Sequence, residues 1–129
     1  MRLLILGTGG MANSHAKNFK AIDGVDVVGA VDVDKARVTA FADMHDIGMR
    51  FTSLEEAIAW GEFDSATNVT PDRAHHPTSL ALIAAGKHVM CEKPLAETYE
   101  KAMEMTEAAE AAGVINMVNL TYRNVAPLQ

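Results

Sequence analysis

The chain opens Met1-Arg2-Leu3-Leu4-Ile5-Leu6-Gly7-Thr8-Gly9-Gly10-Met11-Ala12. The first half is an apolar run of the length of one strand covered on both faces. The second half is Gly7-x-Gly9-x-x-Ala12. Gly7 permits a tight turn. Gly9 has no Cβ, so the backbone there can approach a phosphate, and the small Ala12 lets a helix pack closely on the strand. The helix start then offers free N–H groups and a partial positive charge to an anion. Strand, glycine turn and helix start together form the device that seats a dinucleotide pyrophosphate.

As a bare pattern, the same glycines fit any glycine-rich turn from strand to helix. The context narrows this. A second apolar run, Val25 to Val31, ends in Asp32, about 20 to 25 residues past the glycines, where an acidic side chain accepts from the adenosine ribose hydroxyls. Asp32 would repel a 2′-phosphate and so favours NAD. Lys35 and Arg37 stand close by and can bind such a phosphate, which keeps NADP as the alternative.

The bulk properties bound the rest. A chain of 129 residues is one domain, long enough to bury a core. The net charge of -6, with no basic run, argues against nucleic acid and anionic membranes as partners. The single cysteine, Cys91, excludes an intrachain disulfide and fits a reducing compartment. The start lacks the pattern of a signal peptide, and no apolar run approaches the roughly 20 residues of a membrane span. A soluble cytoplasmic protein is expected.

Short apolar runs alternate with longer amphipathic ones, the pattern of a parallel sheet wrapped by helices. Strands are predicted over 2–6, 25–31, 49–51, 64–69, 87–91 and 114–118, and helices over 10–21, 34–46, 53–60, 73–85 and 97–112. Ser53 and Glu56 read as a capping box. Gly48, Gly61, Gly86 and Gly113 each follow a predicted helix, where a left-handed residue is wanted. The last helix is expected to bury Tyr99, Ala102, Met103, Thr106 and Ala109 on one face. Right-handed crossovers give a doubly wound α/β sheet of order 3-2-1-4-5-6.

Ligands of such sheets bind beyond the carboxyl ends of the strands. Three polar clusters fall there: Asn68 to Asp72 with His75 and His76, then Glu92-Lys93-Pro94, then Asn119, Tyr122 and Arg123. Lys93 is the candidate for chemistry, because an amine at a strand end can hold a substrate oxygen and move its proton. Glu92 beside it is expected to hold it in place, and Pro94 to fix the backbone so that it points inward. Standing alone, the tripeptide reads as a surface ion pair before a strand-stopping proline. His75 and His76 are adjacent on a helix, so at most one faces the crevice and the two do not converge on a metal ion; no metal site is expected. His15, His45 and His88 read as ordinary, partly exposed residues.

Gly7 to Ala12, Thr70-Pro71 with His75, and Ala85-Gly86-Lys87-His88-Val89 leading to Cys91-Glu92-Lys93-Pro94-Leu95-Ala96 together resemble the N-terminal domain of the Gfo/Idh/MocA oxidoreductases. The resemblance implies NAD(P)-dependent hydride transfer at a hydroxyl carbon of a sugar, cyclitol or related polyol. It implies that Gly7, Thr8, Gly9, Gly10 and Met11 line the pyrophosphate and that Asp32 holds the adenosine ribose. Thr70, Pro71, His75 and Asn119 would lie along the cofactor, with Glu92 and Lys93 near the nicotinamide and Lys93 on the reacting oxygen. Tyr122 and Arg123 would face the substrate. Residues 1–120 would be the dinucleotide domain and 121–129 the start of a crossover.

Members of the family run to well over twice this length. Their C-terminal α/β domain, absent from this sequence, shapes the substrate site and carries an Asp and a His of the catalytic set. The resemblance therefore implies a cofactor domain, inactive by itself and open to self-association as a homo-oligomer. A non-catalytic dinucleotide sensor or regulatory subunit is the competing reading.

Overall fold

Strand β1 (Arg2–Leu6) sits at the centre of the sheet and shows how one short sequence serves two cores. Successive strand side chains point to opposite faces. Leu3 and Ile5 enter one apolar cluster with Ala12, Ala16, Val38 and Phe41, while Leu4 and Leu6 enter the other with Leu54, Ala57, Leu82 and Ala109. Both faces are therefore dry, and the strand reads as continuously apolar.

The computed structural model describes residues 1–120. From β1 the chain runs through α1 (Gly10–Lys20), β2 (Asp26–Val31), α2 (Lys35–Met44), β3 (Met49–Phe51) and α3 (Leu54–Trp60). It continues through β4 (Ser65–Asn68), α4 (Asp72–Ala84), β5 (His88–Glu92), α5 (Tyr99–Ala112) and β6 (Asn116–Asn119). The strands form one parallel sheet in the order β3-β2-β1-β4-β5-β6, as the alternation predicts. Helices α1 and α2 supply one core cluster, and α3, α4 and α5 the other. The strand order reverses between β1 and β4, which opens a crevice at their carboxyl ends. No helix among the described residues is long and apolar enough to cross a membrane.

Several local expectations shift. The last strand is Asn116–Asn119, two residues later at its start than predicted. Helix α5 buries Met105 and Ala109, whereas Tyr99 is 73% exposed and Met103 sits at the rim. This helix is rich in small residues and carries two apolar stripes; packing against the sheet and α4 selects the one through Met105. Gly61, Gly86 and Gly113 take left-handed backbone, but Gly48 does not; Asp46 carries the positive φ after α2 instead. The Ser53 hydroxyl accepts from the Glu56 N–H as expected, while the Glu56 carboxylate turns back to the Thr52 N–H rather than to the cap residue.

Candidate functional site

At the end of β1 the backbone turns at Gly7 with φ +91°. A Cβ there would stand 2.7 Å from the Val69 carbonyl oxygen, so only glycine fits both the conformation and the gap. The turn is tied on both sides: the Gly7 N–H donates to Val31 O, and the Val69 N–H donates to Leu6 O. Gly9 then caps α1 with no side chain covering the helix start, and Gly9, Gly10 and Met11 are all exposed. The helices α2, α3 and α5 differ, because the side chains of Asp34, Ser53 and Thr98 accept from their first-turn N–H groups. Helices α1 and α4, which follow the two strands flanking the crevice, lack a capping side chain. Uncapped N–H groups beside the crevice are donors left for an anion.

Asp32, just past the end of β2, faces this turn. One carboxylate oxygen accepts from the Thr8 N–H at 3.0 Å and the Thr8 hydroxyl at 2.7 Å, and the other accepts from the Asp34 N–H at 3.0 Å. The Arg37 guanidinium stands 3.9 Å away. Burial by itself would push this carboxyl up. The hydrogen bonds from Asp34 and Thr8, with the Arg37 charge, outweigh burial and hold it below its ordinary value. Asp32 thus fixes the glycine turn as well as bordering the crevice, and the Thr8 side chain points back to it rather than outward. The second oxygen keeps unused acceptor capacity.

On the other side of the crevice, β4 ends in Asn68, fully buried. Its amide donates to Thr78 and Ser79 of α4, and its oxygen accepts from the Thr70 hydroxyl at 2.6 Å. Thr70 and Pro71 are thereby held at the rim. The His75 ring is 1% exposed, and its two nitrogens lie 2.8 Å from Thr70 O and 2.7 Å from Pro94 O. A neutral ring donates to one of these carbonyls, a doubly protonated ring to both. His75 is placed to tie the loop after β4 to the loop after β5, with its ring buried between them. His76 points elsewhere and pairs with Glu104 of α5 at 2.7 Å.

Strand β5 ends in Glu92, buried, with Lys93 exposed beyond it. The expectation that Glu92 holds the Lys93 side chain is corrected: its carboxylate accepts from the Lys93 backbone N–H at 3.3 Å. The Lys93 ammonium makes no hydrogen bond or ion pair among the described residues. The other Glu92 oxygen accepts from Asn119 at 2.6 Å and from His15 at 2.6 Å. Burial would raise the Glu92 carboxyl, but the bonds from Asn119 and His15, the charge of a protonated His15 ring and the Lys93 N–H keep it below its ordinary value. Cys91 differs: burial pushes its thiol up to about 11, so it stays protonated and serves as a packing residue.

His15 is the residue that sequence reasoning missed. It is 5% exposed, and it spans Thr67 and Glu92. A signal existed: Ala12, His15, Ala16 and Phe19 share the core-facing stripe of α1, and a polar group on such a stripe must find a partner inside. Tyr122, Arg123 and the expected crossover over 121–129 lie outside the described residues. A cavity of about 550 Å³ lies away from the crevice, between α1 and the end of α2. It is open and lined by Lys17, Lys20 and Asp46, with none of the groups just described.

The chain is similar to proteins of known structure and activity. It is 42% identical over 103 residues to 1,5-anhydro-D-fructose reductase of Ensifer adhaerens, covering 80% of this chain and 31% of that protein. It is 34% identical to the inositol 2-dehydrogenase of Agrobacterium fabrum, over 88% of this chain and 34% of that one. Its fold matches the WlbA dehydrogenase of Chromobacterium violaceum, solved with NADH and UDP-GlcNAcA, with a TM-score of 0.94, 31% identity, and coverage of 100% of this chain and 37% of that chain. The chain thus spans about a third of the length of the curated relatives it matches. Residues 1–120 match the Gfo/Idh/MocA oxidoreductase family, NAD-binding Rossmann fold, and the chain belongs to that family.

Proposed function

We propose that this chain is the cofactor-binding part of an oxidoreductase that moves hydride between a nicotinamide cofactor and a hydroxyl carbon of a sugar, cyclitol or related polyol. The observation that carries the reading is the uncapped start of α1 above Gly7 and Gly9, with Asp32 held beside it. The relatives named above, acting on anhydrofructose and inositol, support the substrate class.

The residues fit a dinucleotide. A Cβ at Gly9 or Gly10 would meet nothing within 4 Å, so open space lies over the exposed N–H groups. Those N–H groups bind the pyrophosphate, and the unused capacity of Asp32 accepts from a ribose hydroxyl, which selects NAD over NADP. Asp32 at the end of β2 would hold the adenosine ribose and the start of α1 the pyrophosphate, which leaves the ends of β4 and β5 for the nicotinamide half. The bound cofactor supplies the hydride donor or acceptor. Thr70, Pro71 and Asn119 border that half, and Lys93 holds the hydroxyl oxygen and takes or returns its proton.

Residues 1–120 form the cofactor domain. Lys93 is exposed, with none of the described residues enclosing its side chain, so the chain alone binds cofactor but turns over poorly. The lone cysteine, buried and protonated, suits a reducing cytoplasm. Calorimetric titration with NADH and NADPH tests the reading. Saturable NADH binding, weakened about ten- to a hundred-fold by Asp32→Ala, supports it; no binding of either cofactor overturns it.

A further inference from the structure

Helix α1 does more than offer its start to an anion. About a turn and a half further on, its His15 ring reaches under the sheet ends. The ring lies 2.7 Å from the Thr67 hydroxyl of β4 and 2.6 Å from the Glu92 carboxylate of β5. The same carboxylate oxygen accepts from Asn119, the last residue of β6. One imidazole therefore connects the glycine-turn helix to two adjacent strands, and through Glu92 to a third, all at their carboxyl ends.

The chemistry of the partners sets the roles. An ionised carboxylate only accepts, so the His15 Nε2–H donates to Glu92. In the neutral ring Nδ1 is then an acceptor, and the Thr67 hydroxyl donates to it. The Glu92 carboxylate thereby fixes the tautomer, and the Thr67 hydroxyl, able to donate or accept, complements it and holds the ring in place. Glu92, held by two side chains on one oxygen, spends its other oxygen on the Lys93 backbone N–H. Here the row of bonds ends on the one residue set against the reacting oxygen.

We infer that His15 is a positioning residue for the nicotinamide end of the crevice: with Thr67 it fixes the Glu92 carboxylate, and through Glu92 it sets the turn that presents Lys93. The inference rests on the function proposed above for its cofactor half. It assigns to α1 a second task, joining the pyrophosphate seat to the catalytic strand end through a rigid polar link.

The test uses the 129-residue chain with His15→Ala and His15→Gln. The glutamine amide nitrogen falls where the imidazole Nε2 lies and can still donate to Glu92. Each protein is titrated with NADH and with ADP-ribose, which shares everything but the nicotinamide. His15→Ala is expected to weaken NADH about ten-fold while ADP-ribose changes less than about two-fold, and His15→Gln to recover most of the loss. Equal weakening of both ligands, no change in either, or no recovery with glutamine overturns the inference. Amide hydrogen exchange at Lys93 reads the same link without cofactor. It should speed up about ten-fold in His15→Ala and return in His15→Gln, and an unchanged Lys93 amide in a folded His15→Ala chain overturns the inference. Wild-type protein that binds neither NADH nor ADP-ribose defeats the dinucleotide reading instead, while the Lys93 exchange still decides the role of His15.

Discussion

The two ends of the crevice are built by different means. At the β2 end, Thr8 and Asp32 meet across 24 residues, within one strand–helix–strand unit. At the β5 end, His15 meets Thr67 across 52 residues and Glu92 across 77, and Asn119 meets Glu92 across 27. The first end is a local device that one unit can specify. The second forms only when α1 and three strands have taken their places, because its groups come from α1, β4, β5 and β6. Both ends hold a buried carboxylate below its ordinary protonation range by hydrogen bonds that outweigh burial. The same electrostatic result thus comes from neighbours in sequence at one end and from neighbours in space at the other.

The largest effect should come from attacking the local end at its turn. Gly7→Ala puts a side chain at φ +91° and a Cβ 2.7 Å from Val69 O. Strain and clash together should cost about 3–4 kcal/mol in urea unfolding. A loss under about 1 kcal/mol would mean that the turn relaxes freely and that this end is less rigid than the comparison requires.

Next comes the distant end. Glu92→Leu leaves the His15 Nε2–H, the Asn119 amide and the Lys93 N–H without their acceptor. Orphaned buried donors of this kind cost about 2–3 kcal/mol. Thr67→Val combined with Glu92→Leu should cost clearly less than the sum of the two singles, since both act on one ring. Strict additivity would show that the network is not a unit.

Acid should strike both ends together. The Asp32 and Glu92 carboxyls are held below their ordinary values of 3.8 and 4.5. The unfolded chain therefore takes up protons at a higher pH than the folded one. The stabilisation is complete above about pH 5 and is lost as pH falls below about 4 through the depressed folded values. Urea midpoints at pH 7, 5, 4 and 3 read this, and Asp32→Asn should flatten part of the acid limb. A midpoint that stays constant down to pH 3 contradicts both depressed carboxyls.

The smallest effect marks the control. His76→Ala removes the partner of Glu104 on the outer faces of α4 and α5, where Glu104 is 60% exposed. A surface pair of this kind contributes less than about 1 kcal/mol and fades with salt. NADH affinity should not change. A measurable loss of affinity would place His76 at the crevice instead of on the outer face.

Much of the molecule was legible in the chain itself. The apolar run at 2–6, the glycines at 7 and 9 and the acid at 32 are spaced by strand and turn geometry, so a linear reading recovers them. The order of the six strands follows from right-handed crossovers. The residues Glu92 and Lys93 were legible as a pair, but the direction of their bond was not. Their adjacency invites a side-chain contact, while the buried carboxylate in fact takes the backbone N–H. His15 reads as ordinary from sequence because a histidine on a helix shows no role until its neighbours across the sheet are known. The packing face of α5 was ambiguous for a related reason: small residues on two stripes leave the choice to the surface they meet.

By itself, then, the sequence determined the parallel α/β sheet, the glycine turn and the acid opposite it. These depend on period, chirality and backbone freedom, which are properties of a few consecutive residues. Only the tertiary structure decided which polar side chains meet beneath the crevice. Burial makes each of Thr67, Asn68, His15, His75 and Glu92 find a partner, but the sequence does not say which one. The sheet order sets the distances, and hydrogen-bond directionality then selects the pairs.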